Sequence, residues 1–196
     1  MKIKGRVVII RDNGERIKIK GKGSFDEDIF LQKLTGDGNV VLENQAIDKI
    51  RFKGILKGED LKCKSLELQG SIVLNKIETN IMDVAFSGNS KLNLLCGEII
   101  KIKPEKNQNP EVIADFFGKL LHTKFKTPDL LEGKFCVDEI IADIVDLEGI
   151  EAKMISCKEA IIGPGCKVKK LLYNNSCKVS KESSVDIIIK QAIENN

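Results

Sequence analysis

The stretch Phe135–Val179, FCVDEIIADIVDLEGIEAKMISCKEAIIGPGCKVKKLLYNNSCKV, decides the fold. Its apolar residues come in dyads with one residue between the two members. Phe135/Val137, Ile140/Ala142, Val145/Leu147, Ile150/Ala152, Ile155/Cys157 and Ala160/Ile162 start one after another at a five-residue beat. Cys166/Val168, Leu171/Tyr173 and Cys177/Val179 continue the series with an extra residue in some bends. An apolar–x–apolar triplet is a strand sending alternate side chains to opposite faces. Each such strand is too short to make a stable sheet by itself. Three in succession, joined by small bends, trace one coil of a solenoid of about 16 residues whose backbone partners lie in the coils above and below. A sandwich would space its strands 8–12 residues apart.

Working toward the N-terminus, the same rhythm returns when the sequence is shifted by about 16 residues. Ile50, Leu66 and Met82 then share a column, as do Phe52, Leu68 and Val84, and Lys53-Gly54 falls on Gln69-Gly70. Val40/Leu42 stands one period before Leu56/Gly58, so the solenoid can begin before residue 46. Nearer the start, Val7–Arg11 and Arg16–Lys20 flank Asp12-Asn13-Gly14, a hairpin signal.

Between the two repetitive regions the beat stops. Pro104–Gln108 reads as a linker. Asn109, Pro110 and Glu111 suit the cap and first turn of a helix. Val112, Ile113, Phe116, Phe117, Leu120 and Leu121 fall on one face of that helix, which ends near His122. The expected organisation is a segment 1–45 leading into the solenoid, a first β-helix half 46–103, a linker with an amphipathic helix 104–127, a second half 128–190, and a tail 191–196. The fold class is all-β: a parallel β-helix with three short strands per coil and one inserted helix, which is expected to cover an open end or side. A partner-binding role for the helix is the alternative.

Composition narrows the function. No apolar run is long enough to span a membrane, and Val7–Ile10 is too short for a signal peptide, so a cytoplasmic address is expected. The six cysteines, Cys63, Cys96, Cys136, Cys157, Cys166 and Cys177, contain no CxxC. With one histidine in the chain, they read as reduced thiols acting as small hydrophobes. His122 suits the favourable electrostatics of a helix C-terminus, with no nucleophile identifiable beside it. Carboxylates such as Asp138, Glu139, Asp143, Asp146 and Glu148 read as outward strand positions. IGPGCKV looks like a single rung of the hexapeptide-repeat acyltransferases but occurs once, so Gly163-Pro164-Gly165 reads as a tight bend. No catalytic residue, cofactor, metal or small-molecule substrate is expected.

Charge is uneven. Residues 1–24 hold eight basic and two acidic side chains. This basic N-terminus could meet a membrane surface or a protein partner. Scarce arginines and aromatics argue against specific nucleic-acid readout. At the other end, Val185, Ile187, Ile188 and Ile189 form a strand apolar on both faces with no capping helix after it, a candidate self-association strand. The basic excess lies in the opposite half, so head-to-tail contact is expected to bring unlike charges together.

Residues 133–187, and above all Ile140–Val168, IIADIVDLEGIEAKMISCKEAIIGPGCKV, resemble the bactofilin family of bacterial polymer-forming cytoskeletal proteins, in its divergent two-part Gram-positive form. Residues 47–103 resemble the family's glycine-spaced strand repeats more loosely. The resemblance implies a right-handed β-helix that polymerises end to end without nucleotide, in the cytoplasm and often near the membrane. The leading expectation is therefore a non-enzymatic scaffold whose partner is itself. Two alternatives stay open: a β-helix enzyme of the acyltransferase type, and a capped monomer that binds an anionic surface or a protein.

Overall fold

A computed structural model of the chain describes residues 16–25, 30–105 and 133–192. Within them lie ten strands: β1 (Arg16–Phe25), β2 (Phe30–Leu42), β3 (Gln45–Gly58), β4 (Asp60–Val73), β5 (Lys76–Phe86), β6 (Ser90–Pro104), β7 (Phe135–Leu147), β8 (Ile150–Ile162), β9 (Lys167–Val179) and β10 (Ser184–Lys190). They form one sheet in sequence order with every pairing parallel. That is a β-solenoid of about 9 turns with a spacing near 16 residues. Backbone pairing runs on around the bends, so each coil is one long bent strand rather than three separate short ones. The solenoid has begun by Arg16, which pairs in parallel with Lys33. Val7–Arg11, the other arm of the expected hairpin, and the expected helix with Val112, Ile113, Phe116, Phe117, Leu120, Leu121 and His122 lie outside the described residues.

Six stacked columns point inward, two on each of three sides. One side carries Ile50–Leu66–Met82 and, beside it, Phe52–Leu68–Val84, which continue through Val145 and Leu147 into the later coils. A second carries Ile140–Ile155 and Ala142–Cys157, and the third Phe135–Ile150 and Val137–Ala152. All of these side chains are buried. Burial of a Leu- or Ile-sized side chain contributes about 1.5–3 kcal/mol, and here it recurs in every coil. The column Leu31–Ile47–Cys63–Thr79–Gly97–Ala142–Cys157–Tyr173 is built of small residues from Cys63 to Cys157, which is where Cys63 and Cys157 serve as small hydrophobes.

One corner depends on glycine. Gly38, Gly54 and Gly70 stack on one another at φ of 122°, 129° and 139°. A Cβ on Gly54 would sit 2.0 Å from the Gly38 carbonyl oxygen. The coils are therefore brought into contact at a corner no side chain can occupy.

The excursion between the two repeats is spliced into a corner without interrupting the stack. The Glu105 N–H donates to the Phe86 carbonyl at 2.8 Å as the chain leaves. On return, the Ser90 N–H donates to the Lys134 carbonyl at 2.7 Å. The Phe135 ring then packs against Phe86 with centroids 5.6 Å apart. β6 and β7 pair from Ser90↔Phe135 to Ile102↔Leu147, so both repetitive regions belong to one sheet.

Candidate functional site

The two ends of the solenoid are finished differently. At the N-terminal end, the inward side chains of β1 are shut away from solvent: Ile17 is 4% exposed, Ile19 0% and Phe25 1%. At the C-terminal end, Ile188 occupies the inward column above Leu171 and is 48% exposed. Val179, above Ile162, is 37% exposed. Val185, Tyr173 and Cys177 are partly buried against the core and complete this cross-section.

Two strands build the open face. β10 covers β9 from Lys167 to Tyr173. The remainder of β9, Ser176–Val179, rests on β8 and has no described strand above it. Among the described residues β10 pairs with β9 alone, so its upper N–H and C=O groups form a sheet edge. The apolar surface also runs over the rim. Ile187 and Ile189 point outward and are 51% and 42% exposed, and Ile189 stands above Leu172 in the column that passes through Ser156 to the exposed Ile141. The structure thus gathers the four candidate residues Val185, Ile187, Ile188 and Ile189 on one terminal strand and adds Val179, Cys177 and Tyr173, which belong to other elements. The sequence rhythm had these three as ordinary core positions. Of the three, Val179 is exposed, with no described strand above it, while Cys177 and Tyr173 are partly buried.

Charge at this end differs from the expected pattern. The coil from Ser176 to Lys190 carries Lys178, Lys181 and Lys190 against Glu182 and Asp186. Over the same length at the other end, residues 16–30 carry Arg16, Lys18, Lys20 and Lys22 against Asp26, Glu27 and Asp28. By sequence both stretches are weakly basic rather than oppositely charged. The acidic excess of the second half sits along the flank, where lysines of neighbouring coils neutralise it. Lys153 lies 2.9 Å from Asp138, Lys158 2.9 Å from Asp143, and Lys103 3.0 and 3.1 Å from Asp146 and Glu148. Those two carboxylates hold the Lys103 ammonium above its ordinary pKa. Exposed pairs of this kind contribute little stability each.

A second surface stands out on the outer face of the first three coils. In the grid Arg16–Lys33–Lys49, Lys18–Thr35–Arg51 and Lys20–Asp37–Lys53, seven of nine side chains are cationic. Arg51 reaches across to Glu67 at 2.6 Å.

Burial raises the pKa of five thiols, Cys63, Cys96, Cys157, Cys166 and Cys177. Burial pushes Cys63 up to about 11, only partly offset by a hydrogen bond with Thr79. Burial also pushes Cys157 up to about 12, with Cys177 nearby adding to the shift. A raised pKa lowers the fraction of thiolate, the form that acts as nucleophile and metal ligand. Among the described residues no three His, Cys, Asp or Glu side chains converge as a metal site. The recesses are shallow. One of about 580 Å³ is lined by Asn174, Asn175, Lys190, Gln191 and Ala192, and one of about 340 Å³ includes Lys62, Lys76 and Glu78. In the second, Lys76 lies 2.5 Å from Glu78, an ion pair that lowers the carboxyl pKa. Among the described residues, no helix is long and apolar enough to cross a membrane.

Comparison with known proteins adds a limited likeness. The chain is 39% identical over 54 residues to the uncharacterized protein YhbF of Bacillus subtilis (strain 168); the match covers 28% of this chain and 23% of that protein. No family model matches the chain. No solved structure matches it.

Proposed function

We propose that this protein is a non-enzymatic structural scaffold, bactofilin-like in kind, that self-associates through the C-terminal end of its solenoid. The observation that carries this reading is the last described coil. There a partly exposed apolar cross-section lies beside a strand edge that no described residue pairs, and contact with another strand would satisfy both. The long rigid stack is suited to transmitting position rather than to surrounding a substrate. Six unbridged cysteines suit the reducing cytoplasm that this reading assumes.

Sedimentation velocity over a range of protein concentrations tests it. The wild-type chain gains mass as concentration rises. Ile188→Lys remains monomeric with its unfolding temperature nearly unchanged, because the new ammonium can reach water at the open face. A wild-type chain that is monomeric at every concentration contradicts the proposal.

The cationic grid supports a second reading, in which the outer face of the first three coils lies against an anionic surface such as a membrane. Basic side chains near a bilayer contribute on the order of 1 kcal/mol each. Flotation with vesicles containing phosphatidylserine checks this: Lys33→Glu with Lys49→Glu removes binding while leaving the mass distribution in solution as it was. No binding by the wild-type chain at low salt removes this reading.

A further inference from the structure

We infer that one outer side of the coils from β6 to β10 is a second contact surface, and that its occupant is another copy of this chain. The two copies lie face to face and antiparallel, about a two-fold axis that runs along β8. The inference rests on the self-association reading above for its strength and adds a contact which that reading does not contain.

Two outward columns build the face. One runs Leu94–Glu139–Met154–Lys170–Ile187 and the other Cys96–Ile141–Ser156–Leu172–Ile189. Ile141 is 44% exposed, Ile187 51% and Ile189 42%, with Leu94, Met154 and Leu172 half-buried between them. In the two preceding coils the same columns hold Asp60, Lys62, Lys76 and Glu78, so the apolar patch has a polar border. Parallel sheets are normally covered on both faces, and a bordered apolar patch marks a contact site.

Glu139 and Lys170 are the two charges within the patch, and they select the occupant. They stand two coils apart with Met154 between them, and among the described residues neither has an ion-pair partner. A second copy turned over about an axis along β8 sets β7 against β9 of the other copy and β6 against its β10. Glu139 then meets Lys170 of the other copy, and Lys170 meets its Glu139. Ile141 meets Leu172, Leu94 meets Ile187 and Cys96 meets Ile189, while Met154 and Ser156 meet their own equivalents on the axis. Such a contact is self-complementary in both charge and apolar surface.

Neighbouring arrangements fail. A slide of one coil lays Glu139 on Met154 or Ile187, and Lys170 on Leu94 or Met154, which buries both charges without partners. A slide of two coils sets Glu139 on Glu139 or Lys170 on Lys170. A parallel two-fold exchanges the columns and lays the two charges on Ile141 and Leu172. At the flanks of the favoured arrangement Lys153 and Lys158 face their equivalents. Each is already held by a carboxylate of its own chain, Asp138 and Asp143, at 2.9 Å.

The face is small. Five coils at about 4.8 Å and a width of about 10 Å give on the order of 250 Å² per copy. That is below the size of stable interfaces. Alone it does not hold two single chains, so Ile188→Lys still stays monomeric. Where copies are joined at their ends, several such contacts act together and the pairing strengthens.

Charge reversal in the full chain tests it. Glu139→Lys sets lysine against lysine in both halves of the contact, and Lys170→Glu sets carboxylate against carboxylate. An equal mixture of the two variants restores two opposite-charge pairs in every mixed contact. Electron micrographs count the solenoids lying side by side, at a concentration where the wild-type chain has gained mass. The expected counts are two for the wild type, one for each variant alone, and two again for the mixture. Both side chains are partly exposed, so unfolding temperatures stay close to wild type. Wild-type assemblies one solenoid wide, paired solenoids in both single variants, or a mixture that stays single each overturn the side-by-side contact and leave the end contact standing. A wild-type chain that is monomeric at every concentration overturns both.

Discussion

The N- and C-terminal ends are made of the same repeat and differ in one respect: whether the last inward layer is covered. Ile19 and Ile188 both sit in inward columns, yet one is sealed and the other half exposed. A solenoid coil is stable because it is sandwiched between two others, so its final layer is always an incomplete structure. On the proposed reading an adhesive surface requires no special motif. It lies at the last described coil, where the inward layer is half exposed.

The most severe way to break this comparison is to charge both layers. Ile19→Lys buries an ammonium with no partner and is expected to cost roughly 5 kcal/mol, enough to unfold a marginal domain. Ile188→Lys is expected to cost less than about 1 kcal/mol, since the side chain reaches solvent. Thermal unfolding followed by circular dichroism checks this, and equal losses for the two variants would mean that the ends are not finished differently. Leu68→Lys and Glu67→Lys calibrate the middle of the stack. Leu68 is buried and Glu67 exposed, so the first should unfold the protein and the second should remain close to wild type.

Next in size is the glycine corner. Gly54→Ala puts a methyl group 2.0 Å from the Gly38 oxygen at a φ of 129°. The expected destabilisation is about 2–4 kcal/mol, combining backbone strain with the parting of two coils. Urea unfolding should show a lower midpoint. An unchanged midpoint would mean that the stacking at this corner is looser than described.

A smaller effect follows from the buried thiols. Cys157 has its pKa raised in the fold from 9.0 to about 12. Between those values the unfolded chain loses a proton that the folded chain keeps, so stability falls as pH rises through that window and is intact below it. Cys157→Ala should flatten the alkaline limb of the stability curve relative to wild type. Smallest is the exposed pair between Arg51 and Glu67. Glu67→Gln should change stability by no more than about 0.5 kcal/mol. A larger loss would show that the outer ladder bears weight that the core is here assigned.

Much of this architecture was legible in the chain. The five-residue beat of Ile140/Ala142, Val145/Leu147 and Ile150/Ala152 marks both the inward positions and the corners, because alternation and bend spacing are local properties. The stacking of Phe135 on Ser90 across the excursion was not legible, because it skips 45 positions and leaves no periodic trace. The open face was half legible. Ile187 and Ile188 drew attention as an apolar strand without a successor, whereas Val179 and Cys177 looked like any other dyad. Val179 is exposed and Cys177 only partly buried because no described strand lies above them, which is a fact about the last described coil rather than about their neighbours in sequence. The charge argument for head-to-tail contact failed for a similar reason. A sum over half a chain does not say which charges reach the end, and the carboxylates of the second half are paired along the flank.

The central claim is that one end is sealed and the other is completed by association, and amide hydrogen exchange measured at several protein concentrations tests it most directly. The account predicts that β1 amides at Ile17 and Ile19 are protected to the same degree in dilute and concentrated samples. It predicts that amides of β10, Val185 to Ile189, exchange quickly when dilute and become protected as concentration rises. Protection of β10 that matches β1 in dilute solution, or protection of β1 that grows with concentration while β10 stays unchanged, would contradict it.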